Sequence, residues 1–166
     1  MTIPESDAAQ ASRISEAARR LLAQGQVGDE PLRRTGAVLD PLPVLSAADE
    51  QRQMWFVPVT VGDRLVAFFQ FTLDGALMRF STFQHHPGDL AGCPLAAHWL
   101  DRDQIRGRAN TQRHADESIG EPFLSYDGPP DRLVWVVPLT SVDGRLRHVY
   151  VAGETAYTPP PPGSFG

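Results

Sequence analysis

The side chains whose types and spacing could carry chemistry gather near the middle of this 166-residue chain. His85, His86, Cys93 and His98 could bring nitrogen and sulfur ligands to zinc or a similar ion. Their spacing matches no closed site, and adjacent histidines on a loop diverge unless the backbone bends. The reading preferred is therefore an exposed loop with a buried free thiol. No cofactor is expected, and His85, His86 and His98 remain the metal candidates. Asp101 and Asp103 could hold a divalent cation, with Glu117 or Glu121 as further oxygen ligands, but a pair of aspartates at the start of a helix is also the usual capping arrangement. Arg102, Arg106 and Arg113 share a helical face that could grip a phosphate or carboxylate, or simply be solvated. Trp55 and Trp135 are either core anchors or aromatic walls around a ligand. With Arg64, Arg145, Phe68 and Phe80 they form the candidate contacts for a ligand or partner. No catalytic residue is assigned: G-x-S-x-G, H-E-x-x-H and a strand-following G-x-G-x-x-G are all missing from the sequence.

Composition narrows the classes. With 42% hydrophobic residues the chain can build a core without disulfides. Its single cysteine excludes an intrachain disulfide framework or a multi-thiolate metal site. All fifteen basic residues are arginine, so no side-chain Schiff base or P-loop lysine can exist. The absence of lysine also fits a high-GC bacterial genome. A net charge of −5 argues against nucleic acid as the main partner. The acidic N-terminus lacks a signal-peptide h-region, and no apolar run is long enough to span a membrane, so a cytoplasmic protein is expected.

The elements that must position these residues occur in two similar sets. Met54-Trp55-Phe56-Val57-Pro58-Val59-Thr60 returns as Val134-Trp135-Val136-Val137-Pro138-Leu139-Thr140. Each string leads through a short turn to Arg-Leu and a second apolar run, at Arg64-Leu65 and Arg145-Leu146. Upstream, Gly28-Asp29-Glu30-Pro31-Leu32 is matched to Gly120-Glu121-Pro122-Phe123-Leu124, which leaves eleven extra residues in the first copy, between the Glu-Pro and the tryptophan. The expectation is α+β, with mostly antiparallel sheets from two α-β-β-β pseudo-repeats (8–83 and 94–157) and helices on one face, in a single domain over 1–157. A proline-rich tail, 158–166, follows. Helices are expected over 8–24, 94–100 and 101–114, and strands over 53–61, 64–73, 76–83, 121–127, 132–141 and 145–152. Residues 31–46 are expected to be extended and broken by prolines. Pro58 and Pro138 each remove an N–H, so both tryptophan strands are expected to be edges or bulged there.

The order Asp101-Arg102-Asp103-Gln104, then Val134-Trp135-Val136-Val137-Pro138, Asp143-Gly144-Arg145 and Val149-Tyr150-Val151-Ala152-Gly153 resembles the PepSY domain. The resemblance covers about fifty residues of the second half, and the first half more faintly. It implies an α+β module that binds or inhibits peptidases, although Ala152-Gly153 replaces the usual aspartate.

The function expected is a non-catalytic binding or interaction module with a protein or peptide partner, possible homodimerisation, and neither nucleic acid nor membrane as target. The alternative is a small enzyme or ligand carrier with an aromatic-lined pocket between sheet and helices.

Overall fold

A proline inside a long strand leaves one ladder position without a donor, and the fold is arranged around two such positions. The structure, a computed structural model, describes residues 6–159; the tail expected over 158–166 lies mostly outside them. The chain is α+β with antiparallel pairing, in two compact units: Met1–Val44 with Arg52–Ala97, and Leu45–Gln51 with His98–Gly166.

In the first unit, α1 (Asp7–Ala23) begins where Ser6 accepts the amide of Ala9. Its stripe of Ile14, Ala18 and Leu22 is buried against Trp55, Val57, Val59, Ala67, Phe69 and Phe71. A second helix, α2 (Glu30–Thr35), follows. This corrects the expectation of extended chain from residue 31. Asp29 caps the Leu32 amide at 2.8 Å, and Pro31 sits in the first turn, where its missing N–H costs nothing. Then come β1 (Ala37–Val38), β2 (Leu42–Leu45), β3 (Arg52–Val61), β4 (Arg64–Phe71) and β5 (Leu77–Thr82). β1 and β2 lie on one side of β3, and β4 then β5 on the other.

The second unit contains α3 (Ala96–Leu100), whose first two residues belong to the first unit, and α4 (Arg102–Ala109), prolonged by a 3-10 turn over Asn110–Gln112. Asp101 caps α4 by accepting the Asp103 and Gln104 amides at 2.9 and 3.4 Å. The strands are β6 (Glu117–Ile119), β7 (Phe123–Tyr126), β8 (Leu133–Ser141), β9 (Leu146–Ala152) and β10 (Thr155–Tyr157). β6 and β7 lie on one side of β8, and β9 then β10 on the other. Ile105 and Ala109 of α4 are fully buried.

Neither tryptophan strand is an edge, because both flanks of each are paired. What accommodates the proline is a break in the neighbour. β1 pairs with Val59 and Thr60, and β2 follows beyond a short join; at that join the Leu39 amide donates to the Pro58 carbonyl at 2.9 Å. β6 pairs with Leu139 to Ser141 and β7 with Leu133 to Val136; between them the Gly120 amide donates to the Pro138 carbonyl at 2.8 Å. In a strand a residue's N–H and C=O point to the same side, so each proline's missing donor faces this join. The bulge alternative holds for the first copy only in that the β3–β4 register shifts between Val59 and Thr60.

The joins also revise the upstream matching. Glu30-Pro31 starts a helix, whereas Glu121-Pro122 leads into a strand. The segment placed against Pro58 as Gly120-Glu121-Pro122 is placed against Pro138 is Leu39-Asp40-Pro41. With that pairing the apparent eleven-residue excess before the first tryptophan falls to one residue, and α2 lies upstream of β1.

Gly120 is required by the close crossing. A Cβ there would lie 2.8 Å from Pro138 Cγ, whereas one on Gly107 of α4 would meet nothing within 4 Å outside its own helix. Gly120→Ala is expected to destabilise the protein by about 1–3 kcal/mol, and Gly107→Ala to stabilise it by about 0.5–1 kcal/mol through helix propensity. Denaturant unfolding of the two variants side by side checks the opposite signs.

Candidate functional site

The polar groups that converge most closely lie in the second unit, around Glu117. The chain turns from His114 to Glu117, closed by the Glu117 amide donating to the His114 carbonyl at 3.1 Å, and β6 then carries the Glu117 side chain inward. Only 4% of that side chain is exposed. Its carboxylate receives Arg147 in a two-point contact, Nε to Oε2 at 2.6 Å and Nη2 to Oε1 at 2.8 Å. Oε1 also accepts the His114 amide at 2.7 Å and lies 3.1 Å from His114 Nδ1. Arg147 reaches the Gln112 carbonyl as well, and Arg113 holds the Glu117 carbonyl at 2.8 Å. The side-chain bond from Arg147 chiefly holds the Glu117 carboxyl down at about 2, against the opposing cost of burial.

Above this pair opens a cleft of about 320 Å³ lined by His114, Asp116, Ser141, Arg145, Leu146 and Arg147. His114, Asp116 and Glu117 are the grouping among the described residues whose ligand atoms fall within 4.8 Å of one another. A cation there would compete with Arg147 for both Glu117 oxygens, so the donor set suits an internal ion pair better than a metal. The sequence reading reached Glu117 only as a further oxygen ligand for a cation on Asp101 and Asp103, and it did not point to Arg147, thirty residues away. The visible signal was the alternation of β9, which places Arg147 on one face.

Trp55, Trp135, Phe68, Phe80, Arg64 and Arg145 each have partners within their own unit. Trp55 is buried in the first unit's core under the Arg52 guanidinium, 4.7 Å from the ring centre. Trp135 is buried in the second unit; its Nε1 donates to the Trp99 carbonyl at 2.8 Å, and Trp99 meets it edge-on. Phe68 packs on Phe56 and Phe83, and Phe80 on Phe69, so in the first unit these rings fill space against one another. None of the described clefts is lined by them. Arg64 donates to the Cys93 carbonyl at 2.9 Å and helps hold residues 93–96 against the β3–β4 turn. Arg145 lies across the β8–β9 turn on Asp143 at 2.9 Å. Both arginines stabilise hairpin ends.

His85 and His86 belong to the first unit, and His98 to the second. His98 pairs through Nε2 with Glu154 and lies through Nδ1 3.2 Å from Gln104. Cys93 is buried beside the Asp89 carbonyl, and burial raises its pKa, which disfavours a thiolate ligand. The three arginines expected to share a face have separate tasks: Arg102 lies over Trp135, Arg106 pairs with Glu121 at 3.3 Å, and Arg113 binds Asn110 and Glu117.

The opposite face of the second unit's strands carries a second polar group. His148 meets Phe123 edge-on, and its Nε2 is buried without a partner. Desolvation lowers its pKa below the ordinary 6.5, only partly offset by Glu50. Tyr157 donates to Asp127 at 2.6 Å; burial, then this bond, push the phenol up to about 12.

Against protein-family models, curated proteins and solved structures, the chain gives no match.

Two titrations follow. Glu117 is held at about 2 against an ordinary 4.5, so its contribution is fully present above 4.5 and lost as pH falls toward 2. Glu117→Gln is expected to lower stability at pH 7 and to flatten that acid limb, read from unfolding midpoints across pH. His148 favours its neutral form when folded, so it lowers stability as pH falls below 6.5. His148→Phe, which copies Phe68 at the matching place opposite Pro58, is expected to remove the slope just below 6.5. An unchanged slope would show that another group sets it.

Proposed function

We propose that the chain is a non-catalytic protein-interaction module of a bacterial cytoplasmic protein, PepSY-like in its second half, which binds a protein or peptide partner and is a candidate homodimer. The shared break opposite Pro58 and Pro138 supports reading the two units as copies of one α-β module. No described helix is long and apolar enough to cross a membrane.

The observation that carries the interaction reading is the β4–β5 turn of the first unit. Leu73, Leu77 and Met78 are exposed there within six residues, Met78 at 48%. The turn beneath them is held firmly. The Thr72 amide donates to the Ala76 carbonyl at 2.8 Å, the Gly75 amide to the Thr72 carbonyl at 3.0 Å, and Gln10 of α1 donates to the Leu73 carbonyl at 2.5 Å. A rigid turn with clustered apolar side chains loses little entropy on docking. The β4–β5 register shifts between Gln70 and Phe71, leaving Met78 as the extra residue of the strand. That irregularity and Arg79 blunt β5 for strand addition, which favours recognition by side chains. Further support comes from the groups with displaced pKa values around Glu117 and Tyr157, whose polar atoms are occupied by internal partners. The aromatics considered as pocket walls pack against protein, which weighs against the ligand-carrier alternative.

Met78→Asp, at an exposed site, is expected to leave the unfolding midpoint nearly unchanged and to weaken binding of peptides selected from a random dodecapeptide display library by at least about tenfold, or about 1.4 kcal/mol. Selected peptides that bind Met78→Asp as well as the parent chain would refute the role of this turn.

A further inference from the structure

A second surface of the first unit lies along α1. Two clefts share Arg19 as a common wall. One, of about 360 Å³, runs past Ala8, Ser12 and Ser15 to Asp40 and Pro41. The other, of about 400 Å³, continues past Leu22 and Ala23 to Arg33 and Val38. Together they follow α1 from Ala8 to Ala23, about 22 Å at 1.5 Å per residue. An extended segment of about seven residues covers that length at 3.3 Å per residue.

The strand on the far wall is open. β1 pairs with β3 on one side and has no second strand partner among the described residues. The Leu39 amide points inward to Pro58, so by alternation the Val38 N–H and C=O point away from β3. The floor is apolar, from Leu22, Ala23 and Val38.

The charge at the α2 end is positive. Arg33 is held in place by donating through Nη1 to the Gly28 carbonyl at 2.8 Å, and it packs where Gly25 leaves room, a Cβ there being 3.5 Å from Arg33 Nε. Its remaining guanidinium donors are available. Neither Arg19 nor Arg33 forms an ion pair among the described residues, while the neighbouring Arg34 reaches Glu30 at 3.9 Å. Two guanidinium groups from two helices beside an apolar floor match a carboxylate carried next to apolar side chains.

We propose that this groove binds an extended acidic protein segment, its carboxylates on Arg19 and Arg33 and its apolar side chains on Ala23 and Val38. The inference rests on the interaction-module reading but uses a surface other than the β4–β5 turn. The length of the groove favours a peptide over a small anion. Asp40 is the one acidic residue lining the two clefts.

The probe is a fluorescently labelled heptapeptide, Ser-Glu-Val-Glu-Val-Glu-Ser, titrated against the full chain by anisotropy, with the lysine-for-glutamate peptide as control. The acidic peptide is expected to bind, more weakly as salt rises, and the lysine peptide is not. Arg19→Glu, an exposed change that leaves the fold intact, is expected to weaken binding at least about tenfold, with Arg33→Gln in the same direction. Met78→Asp is expected to leave it unchanged. Amide shifts on binding are expected at residues 37–39. Absence of binding up to about 1 mM, equal binding of the lysine peptide, or indifference to Arg19→Glu overturns the groove. Binding lost in Met78→Asp but kept in Arg19→Glu overturns the groove while sustaining the module reading.

Discussion

The constraint on which the rest depends is the missing amide hydrogen of Pro58 and Pro138. A central strand needs a donor at every inward position, and a proline cannot supply one. Here the strand stays central and its neighbour breaks instead. The neighbouring chain contributes one short strand on each side of the proline and, at the join, a single amide directed to the proline carbonyl: Leu39 in one unit and Gly120 in the other. From that follows the order of elements. Two short strands must precede each long hairpin, and a helix must precede them to cover the sheet. Gly120 has no Cβ because the join passes directly over the Pro138 ring.

On this common ladder the two units carry different interiors. The first is rich in phenylalanine, with Phe69 and Phe71 on the face toward α1 and Phe56 and Phe68 on the other. The second places His148 where the first has Phe68, and buries Glu117, on the strand that pairs with Leu139 to Ser141, against Arg147. Burying that carboxylate is tolerable because both of its oxygens are hydrogen-bonded. Arg147 covers both oxygens and the His114 amide adds a third donor, so desolvation is offset by charge-assisted bonds.

Much of the frame was legible because it rests on local rules. The α1 stripe, the Asp101 cap and the long hairpins after Trp55 and Trp135 are set by periodicity and capping, and they fall within a few residues of expectation. The join was not legible. Glu30-Pro31 and Glu121-Pro122 look alike as strings, yet Asp29 caps the first into a helix, while the second has no such cap and enters β7. Asp40-Pro41 was the better match and was hidden by a one-letter difference. The edge inference failed for a related reason: it treated the neighbour as one unbroken strand, and pairing across a break is a property of tertiary structure. Glu117 with Arg147 was hidden because thirty residues of chain separate them, and no local pattern encodes a contact at that distance.

The same logic bears on where binding can reside. A ladder that must keep a fixed join opposite each proline tolerates little change in β3, β8 or the segments crossing them. Variation is cheapest where backbone bonds are complete without the side chain, at turns and along outward helix faces. The β4–β5 turn is closed by its own backbone bonds, and Leu73, Leu77 and Met78 are partly exposed there. Arg19 sits on an exposed helix position, and β1 meets its obligation to β3 with one side of its backbone, leaving the other open. The exposed part of each leucine and methionine on this turn gains nothing for the fold of the isolated chain. The contribution of that remaining surface appears when another surface covers it.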